Sequence, residues 1–171
     1  MTCSLDQLPP RATKDTTLIH AVIETPKGSR NKLGYEPELG VFKLNGVLPE
    51  GHSFPYDFGF VPSTKAEDGD PLDVLLLLDA PTFPGCVVEA RLLGAITLEQ
   101  REDDDTIVRN DRLLAVAANS RLHKHLTTIE DLGDELLHEI EHFFHSYNEV
   151  KGGEIKLLGR VGPEEANELL Q

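Results

Sequence analysis

The stretch EDGDPLDVLLLLD, Glu67 to Asp79, places three aspartates, Asp68, Asp70 and Asp73, within six residues and directly before five large apolar side chains. Asp-Gly and Asp-Pro pairs are common in turns, where the carboxylate caps nearby backbone N–H groups, so a solvated acidic turn is the bland reading. Two features favour chemistry instead. Pro71 stiffens the backbone between two of the carboxylates, and the apolar run behind Asp73 reads as a buried strand that anchors the third. A stiff segment of this kind can converge several oxygens on one point, which is what a hard divalent cation requires. The spacing does not match the twelve-residue calcium loop, so a Mg²⁺ or Mn²⁺ site serving phosphate chemistry is the sharper expectation.

Composition narrows the setting. The chain has 171 residues, 39% hydrophobic and 27% charged, which fits a single globular domain over 1–171 with residues 1–15 as a flexible lead-in. A net charge of −14 without a basic cluster argues against nucleic-acid partners. Cys3 and Cys86 lie far apart and give neither a disulfide framework nor zinc spacing, so a cytoplasmic location is expected. Val74 to Leu78 is strand-sized, and no run is long enough to span a bilayer.

The elements that must position the aspartates follow from local pattern. Thr17 to Glu24 is β-branched and apolar, and leads into the basic loop TPKGSRNK. GYEPELGVFKLNG reads as a hairpin turning at Pro-Glu-Leu-Gly. Phe54 to Thr64 carries prolines near both ends and is at most an interrupted strand. Further strands are expected at Asp73–Leu78, at CVVEARLLGAITLEQ with a break at Gly94, at Arg112–Ala118 and at EIKLLGRV. Helical spacing dominates only after Thr127, where Leu136, Leu137, Ile140, Phe143, Phe144 and Tyr147 form one apolar stripe. Pro163 and the glutamates after it suit a second helix start. Strands first and helices late predict an α+β fold, a small and mostly antiparallel barrel or curled sheet with helices outside.

The order of IETPKGSRNK, FPYDFGFVPSTKAEDGDPLDVLLL, VEARLLG, NDRLLAVA and IEHFFHSYNE resembles the soluble, magnesium-dependent inorganic pyrophosphatases. The resemblance runs from about Ile19 to Glu149 and centres on DGDPLDVL. It implies a five-stranded closed antiparallel β-barrel with two main α-helices outside, and hydrolysis of pyrophosphate to two phosphates. By the same resemblance Asp70 is the general base and Asp68 and Asp73 are metal ligands. Glu24 helps hold a further metal, Lys32 and Arg112 bind phosphate, and Tyr147 donates to product phosphate. The implied cofactor is Mg²⁺, with Mn²⁺ or another divalent ion as substitutes. The implied assembly is a homo-oligomer, often a hexamer in bacterial-type members, with the long helix near a subunit contact.

Several positions depart from the family pattern. Gly34 stands for a glutamate, Gly46 for an arginine, Phe58 for a tyrosine and Asn148 for a lysine, while Gln100 and Asn110 stand for metal-binding aspartates. Asn110 keeps an oxygen that can coordinate, without charge. Glu99, Asp111 or one of Asp103, Asp104 and Asp105 are candidate substitutes, although the last three read more simply as a solvated hairpin tip. A non-catalytic metal- or phosphate-binding protein on the same fold is the alternative to an enzyme. His138, His142 and His145 share one helix face, and read as an exposed or subunit-facing stripe rather than a zinc site.

Overall fold

The computed structural model describes residues 4–171, so Cys3 and the first three residues of the 1–15 lead-in lie outside the described residues. Residues 4–15 lie along the body of the chain. Arg11 bridges Ile19, Pro9 O meets His20 Nδ1 at 2.7 Å, and Ser63 N donates to Asp6 O at 2.9 Å.

Nine strands and two α-helices follow in the order β1 Ile19–Thr25, β2 Asn31–Glu36, β3 Val41–Val47, β4 Asp57–Phe60, β5 Asp73–Leu77, β6 Val87–Arg101, β7 Ile107–Arg109, β8 Arg112–Ala117, α1 Asp134–Val150, β9 Ile155–Val161 and α2 Pro163–Glu168. Short 3-10 turns sit at Leu5–Gln7 and Ile129–Leu132. The α+β class and the strand positions expected from pattern are present. The barrel expectation is corrected: this is not a five-stranded, wholly antiparallel closed barrel. It is a seven-stranded mixed sheet in the order β1-β4-β5-β8-β6-β7, with β9 bonded to β6 and β1 also paired antiparallel with β6 from Ile19 opposite Ala90 to Val22 opposite Val87, and a separate two-stranded sheet of β2 and β3. The odd element is the β5–β8 pair, which runs parallel from Asp73 opposite Arg112 to Leu77 opposite Val116. Buried on both faces, β5 and β8 carry continuous apolar runs, as parallel strands do.

Register shifts interrupt the pairing at several points. The β1–β4 register shifts between Ile23 and Thr25, so Glu24 sits at a bulge, a device that re-aims a side chain. The expected break in β6 is a second register shift, between Leu92 and Gly94. Helix α1 buries Leu137, Ile140, Phe144 and Tyr147 against Phe54, Phe58, Leu75, Ile96, Leu98 and Leu114, the apolar stripe meeting one sheet face. Ala166 of α2 and Leu170 just beyond it join a second core cluster, with Ile19, Ile23, Val74 and Leu113. Gly152, at φ +77°, ends α1 in the left-handed conformation that glycine adopts without penalty. Among the described residues no helix is long and apolar enough to cross a membrane.

Candidate active site

The loop from Val61 to Leu72 is tied at both ends before it presents its carboxylates. Val61 N donates to Leu72 O at 2.9 Å, and Thr64 Oγ1 donates to Val61 O at 2.6 Å while accepting from Leu72 N at 3.0 Å. Within the loop, Asp68 Oδ1 accepts from Asp70 N at 3.0 Å across Gly69, whose φ of +91° closes the turn. The capping bond of the bland reading is therefore present. It leaves Asp70 exposed and Asp68 and Asp73 half-buried along the rim of a cavity of about 330 Å³.

That cavity is lined by every predicted site residue: Glu24, Lys32, Asp68, Asp70, Asp73, Asn110, Arg112 and Tyr147. Residues more than 120 positions apart thus meet at one point. Glu24, re-aimed by the β1 bulge, accepts Tyr35 N on Oε1 at 2.8 Å, and that bond fastens the β2–β3 hairpin, with Lys32 on it, to the sheet. Burial raises the Glu24 pKa above the usual carboxylate value, with the Asp70 charge adding to the effect. Burial and Asp70 likewise push Asp68 up. Both directions mark negative charge crowded in a poorly solvated place.

Arg112 takes up part of that charge. Its side chain is 6% exposed and forms an ion pair with Asp73 Oδ2, and its Nη1 also donates to Asn110 Oδ1 at 3.1 Å. The guanidinium lies 5.4 Å from the Phe144 ring centre and 6.0 Å from that of Phe58. Burial lowers its pKa to about 10, so it stays charged at neutral pH. Asn110 Nδ2 then donates to Gln100 Oε1 at 2.9 Å, and Gln100 Nε2 to Glu102 Oε1 at 3.3 Å. The two amides that stand for acidic residues are thus satisfied by protein partners. Arg112, expected to grip phosphate, lines the cavity and also holds Asp73 and Asn110.

The candidate substitutes lie elsewhere. Asp111 is 5% exposed, pairs with Arg109 at 2.9 Å and accepts Leu98 N at 3.1 Å, all beside a separate cavity. Glu99 lines another cavity with Glu154 and Lys156. Asp103, Asp104 and Asp105 are exposed at the hairpin tip, as the simpler reading expected, and Asp104 accepts Thr106 N at 3.1 Å. His138, His142 and His145 are exposed along α1. A Cβ at Gly34 would overlap the Asn45 amide, so Asn45 fills the space of the missing side chain.

The donor chemistry suits a hard divalent cation on one wall only. Asp68, Asp70 and Glu24 offer anionic oxygens whose crowding a cation would relieve. On the other wall, Arg112 already engages one Asp73 oxygen and the Asn110 carbonyl. Among the described residues no group of three His, Cys, Asp or Glu side chains is drawn together as a ready-made metal seat.

Sequence reasoning missed Lys151, Tyr35 and Asn45 on the cavity wall. Lys151 follows Tyr147 by four residues, one helical turn, and that spacing was the available signal.

Comparison with known proteins agrees with this geometry. The family model described as inorganic pyrophosphatase matches residues 21–171. The inorganic pyrophosphatase of Thermus thermophilus is 40% identical over 153 residues, covering 88% of this chain and 85% of that protein. That of Synechocystis is 39% identical over 142 residues, covering 83% and 81%. Among solved structures, the Thermus thermophilus enzyme superposes with a TM-score of 0.89 at 38% identity, covering 98% of this chain and 95% of the other. An inorganic pyrophosphatase from Neisseria gonorrhoeae gives 0.84 at 31%, covering 96% and 94%. The carboxylates gathered with two lysines, an arginine and a tyrosine around one cavity therefore sit in a chain that belongs to the inorganic pyrophosphatase family.

Proposed function

We propose that the chain hydrolyses inorganic pyrophosphate to two phosphate ions with the help of bound divalent metal. The observation that carries this reading is the single cavity that brings Glu24, Asp68, Asp70 and Asp73 together with Lys32, Arg112, Tyr147 and Lys151. The carboxylates attract cations, and the lysines and the phenol receive the charged oxygens of a diphosphate.

Asp68, Asp70 and Glu24 would hold the metal, with Asp73 offering the oxygen that Arg112 does not engage. Asn110 is the weakest of the expected ligands because its carbonyl already accepts from Arg112. Magnesium is the ion the family implies, and manganese has the same oxygen preference. Bound there, a divalent ion lowers the pKa of coordinated water and screens substrate charge. Asp70, exposed at the turn, takes the proton of the attacking water as its oxygen bonds to phosphorus and the bridging P–O bond breaks. Lys32 and Tyr147 hold phosphoryl oxygens during that displacement and stabilise the charge gathering on the leaving group. We place the reaction in the cytoplasm from the wide spacing of the two cysteines. We also propose a homo-oligomer, with the exposed histidine face of α1 near a contact; a monomer mass by light scattering at micromolar concentration would overturn it.

The test is phosphate release from pyrophosphate with Mg²⁺ and Mn²⁺, beside Asp70→Asn. Loss of a positioned base lowers kcat by about 10²- to 10⁴-fold. The engagement of Asp73 and Asn110 by Arg112 favours one rival, a phosphate-binding protein without turnover. Metal binding with no release from pyrophosphate would select that rival.

A further inference from the structure

Position 148 lacks the lysine that the family pattern puts beside the tyrosine, and the structure shows what Asn148 does instead. It is 4% exposed, and its Nδ2 donates to Phe144 O at 2.8 Å, back along α1 and away from the cavity. The next turn carries a cation. Lys151, the first residue past α1, lines the cavity, and its Nζ stands 5.0 Å from the centre of the Tyr147 ring. Lys32 Nζ, arriving from β2, stands 5.2 Å from the same ring.

Three polar groups therefore gather in one part of the cavity. Among the described residues neither lysine forms a salt bridge. The Tyr147 hydroxyl is buried and has no hydrogen-bond partner, although the residue is only 6% exposed. The Tyr147 ring attracts both ammonium groups, but they repel each other, and a buried hydroxyl without a hydrogen bond carries a desolvation cost. An anion with several acceptor oxygens satisfies all three at once. Loss of hydration at the cavity lowers the pKa of both lysines, although Lys151 as a whole residue is exposed, and repulsion from Lys32 adds to the effect on Lys151. A second cavity, of about 190 Å³, opens on the far side of the same groups beside Gly46. Nothing lies within 4 Å of a Cβ built at Gly46, so no side chain there competes for the anion.

We infer that Lys151 is a phosphate-binding residue of this chain, and that it forms with Lys32 and Tyr147 the seat of one phosphoryl group. This rests on the proposed pyrophosphate chemistry for its physiological ligand. The seat itself requires only an oxyanion. Lys151 lies just beyond the helix, is an exposed residue, and is followed by Gly152 and Gly153, so its replacement leaves the core intact.

Inorganic phosphate binding is measured by calorimetry on wild type, Lys151→Gln and Lys151→Arg, with unfolding curves as a folding control. Steady-state KM and kcat for pyrophosphate with Mg²⁺ are measured in parallel. Loss of one charge-assisted hydrogen bond lowers phosphate affinity about tenfold or more in Lys151→Gln, and Lys151→Arg recovers most of it. KM for pyrophosphate rises by a similar factor. Lys151→Gln with wild-type phosphate affinity and KM overturns the assignment, and hydrolysis by that variant leaves the proposed function standing. Lys151-dependent phosphate binding without turnover supports the assignment and removes the hydrolytic reading instead.

Discussion

Asp73 and Arg112 are register partners at the head of the parallel β5–β8 pair, and their side chains close an ion pair beside the cavity. One buried guanidinium thereby neutralises the aspartate rooted in the sheet and orients Asn110. Removing one partner of such a pair leaves the other charge uncompensated, which costs about 3 kcal/mol even with Asp73 partly exposed. Arg112→Ala is expected to lose that much in urea unfolding. Arg112→Ala combined with Asp73→Asn should lose less than the sum of the two single changes, since they share one interaction. Additive losses would mean the pair is not coupled.

The two cavity lysines set an alkaline limit on binding. Burial is the largest effect and lowers the Lys32 pKa; the Arg112 charge adds to it, while Lys151, Glu24 and Asp70 oppose it. For a base depressed on folding, the unfolded chain holds more protons between the folded and unfolded values. This contribution to stability is therefore unfavourable below the folded pKa, and the penalty is relieved as pH rises through that window towards 10.5. Binding runs the opposite way, because the ammonium is what the anion needs. Phosphate affinity is expected to weaken at a pH where an ordinary lysine is still charged, while the protein does not lose stability from these groups. Calorimetric titrations of phosphate between pH 7 and 10 check this, and a flat profile would contradict it.

Tyr147 separates stability from function. Its hydroxyl is buried and unpaired in the chain, and its ring stacks on Phe143 at 5.9 Å between centres. Tyr147→Phe keeps the ring and removes a polar group that has lost its water, so stability should hold or rise by about 1 kcal/mol. Phosphate affinity should fall about fivefold as one donor disappears. A variant that binds phosphate normally but unfolds more easily would show that the hydroxyl serves the fold and not the ligand.

Of the residues on this cavity, the aspartates were legible from local pattern, and Glu24, Lys32, Arg112 and Tyr147 through the family resemblance. Asp68, Asp70 and Asp73 fall within six residues, across a turn and the head of the strand after it. Tyr147 closes an apolar stripe with helical period, which α1 buries as expected. What escaped depended on separation in sequence. The parallel partnership of β5 and β8 joins segments with β6 and β7 between them, and no local pattern encodes it. Without that register the ion pair of Asp73 with Arg112 is invisible. Lys151 was passed over because the family pattern directs attention to the residue beside Tyr147, whereas this helix turns Asn148 inward and brings the next turn to the cavity.

The backbone behind Glu24 gives the last test. Gly59 lies between Phe58 and Phe60 on β4, opposite Ile23, where β1 departs from regular pairing. A Cβ at Gly59 would overlap Val22 O and press on the Ile23 backbone, neither of which is a side chain free to swing aside. Both neighbours are fully buried, so relief requires the two strands to separate. Gly59→Ala is therefore expected to cost about 3 kcal/mol, the upper part of the usual range for overpacking. The same movement would disturb the bulge that aims Glu24 and its bond to Tyr35 N, which anchors the hairpin carrying Lys32. Phosphate affinity should then fall along with stability, although Gly59 does not line the cavity. Urea unfolding beside phosphate calorimetry separates the outcomes: wild-type stability would mean the strands are not held this closely, and lost stability with unchanged affinity would mean that Glu24 and the hairpin are positioned independently of this contact.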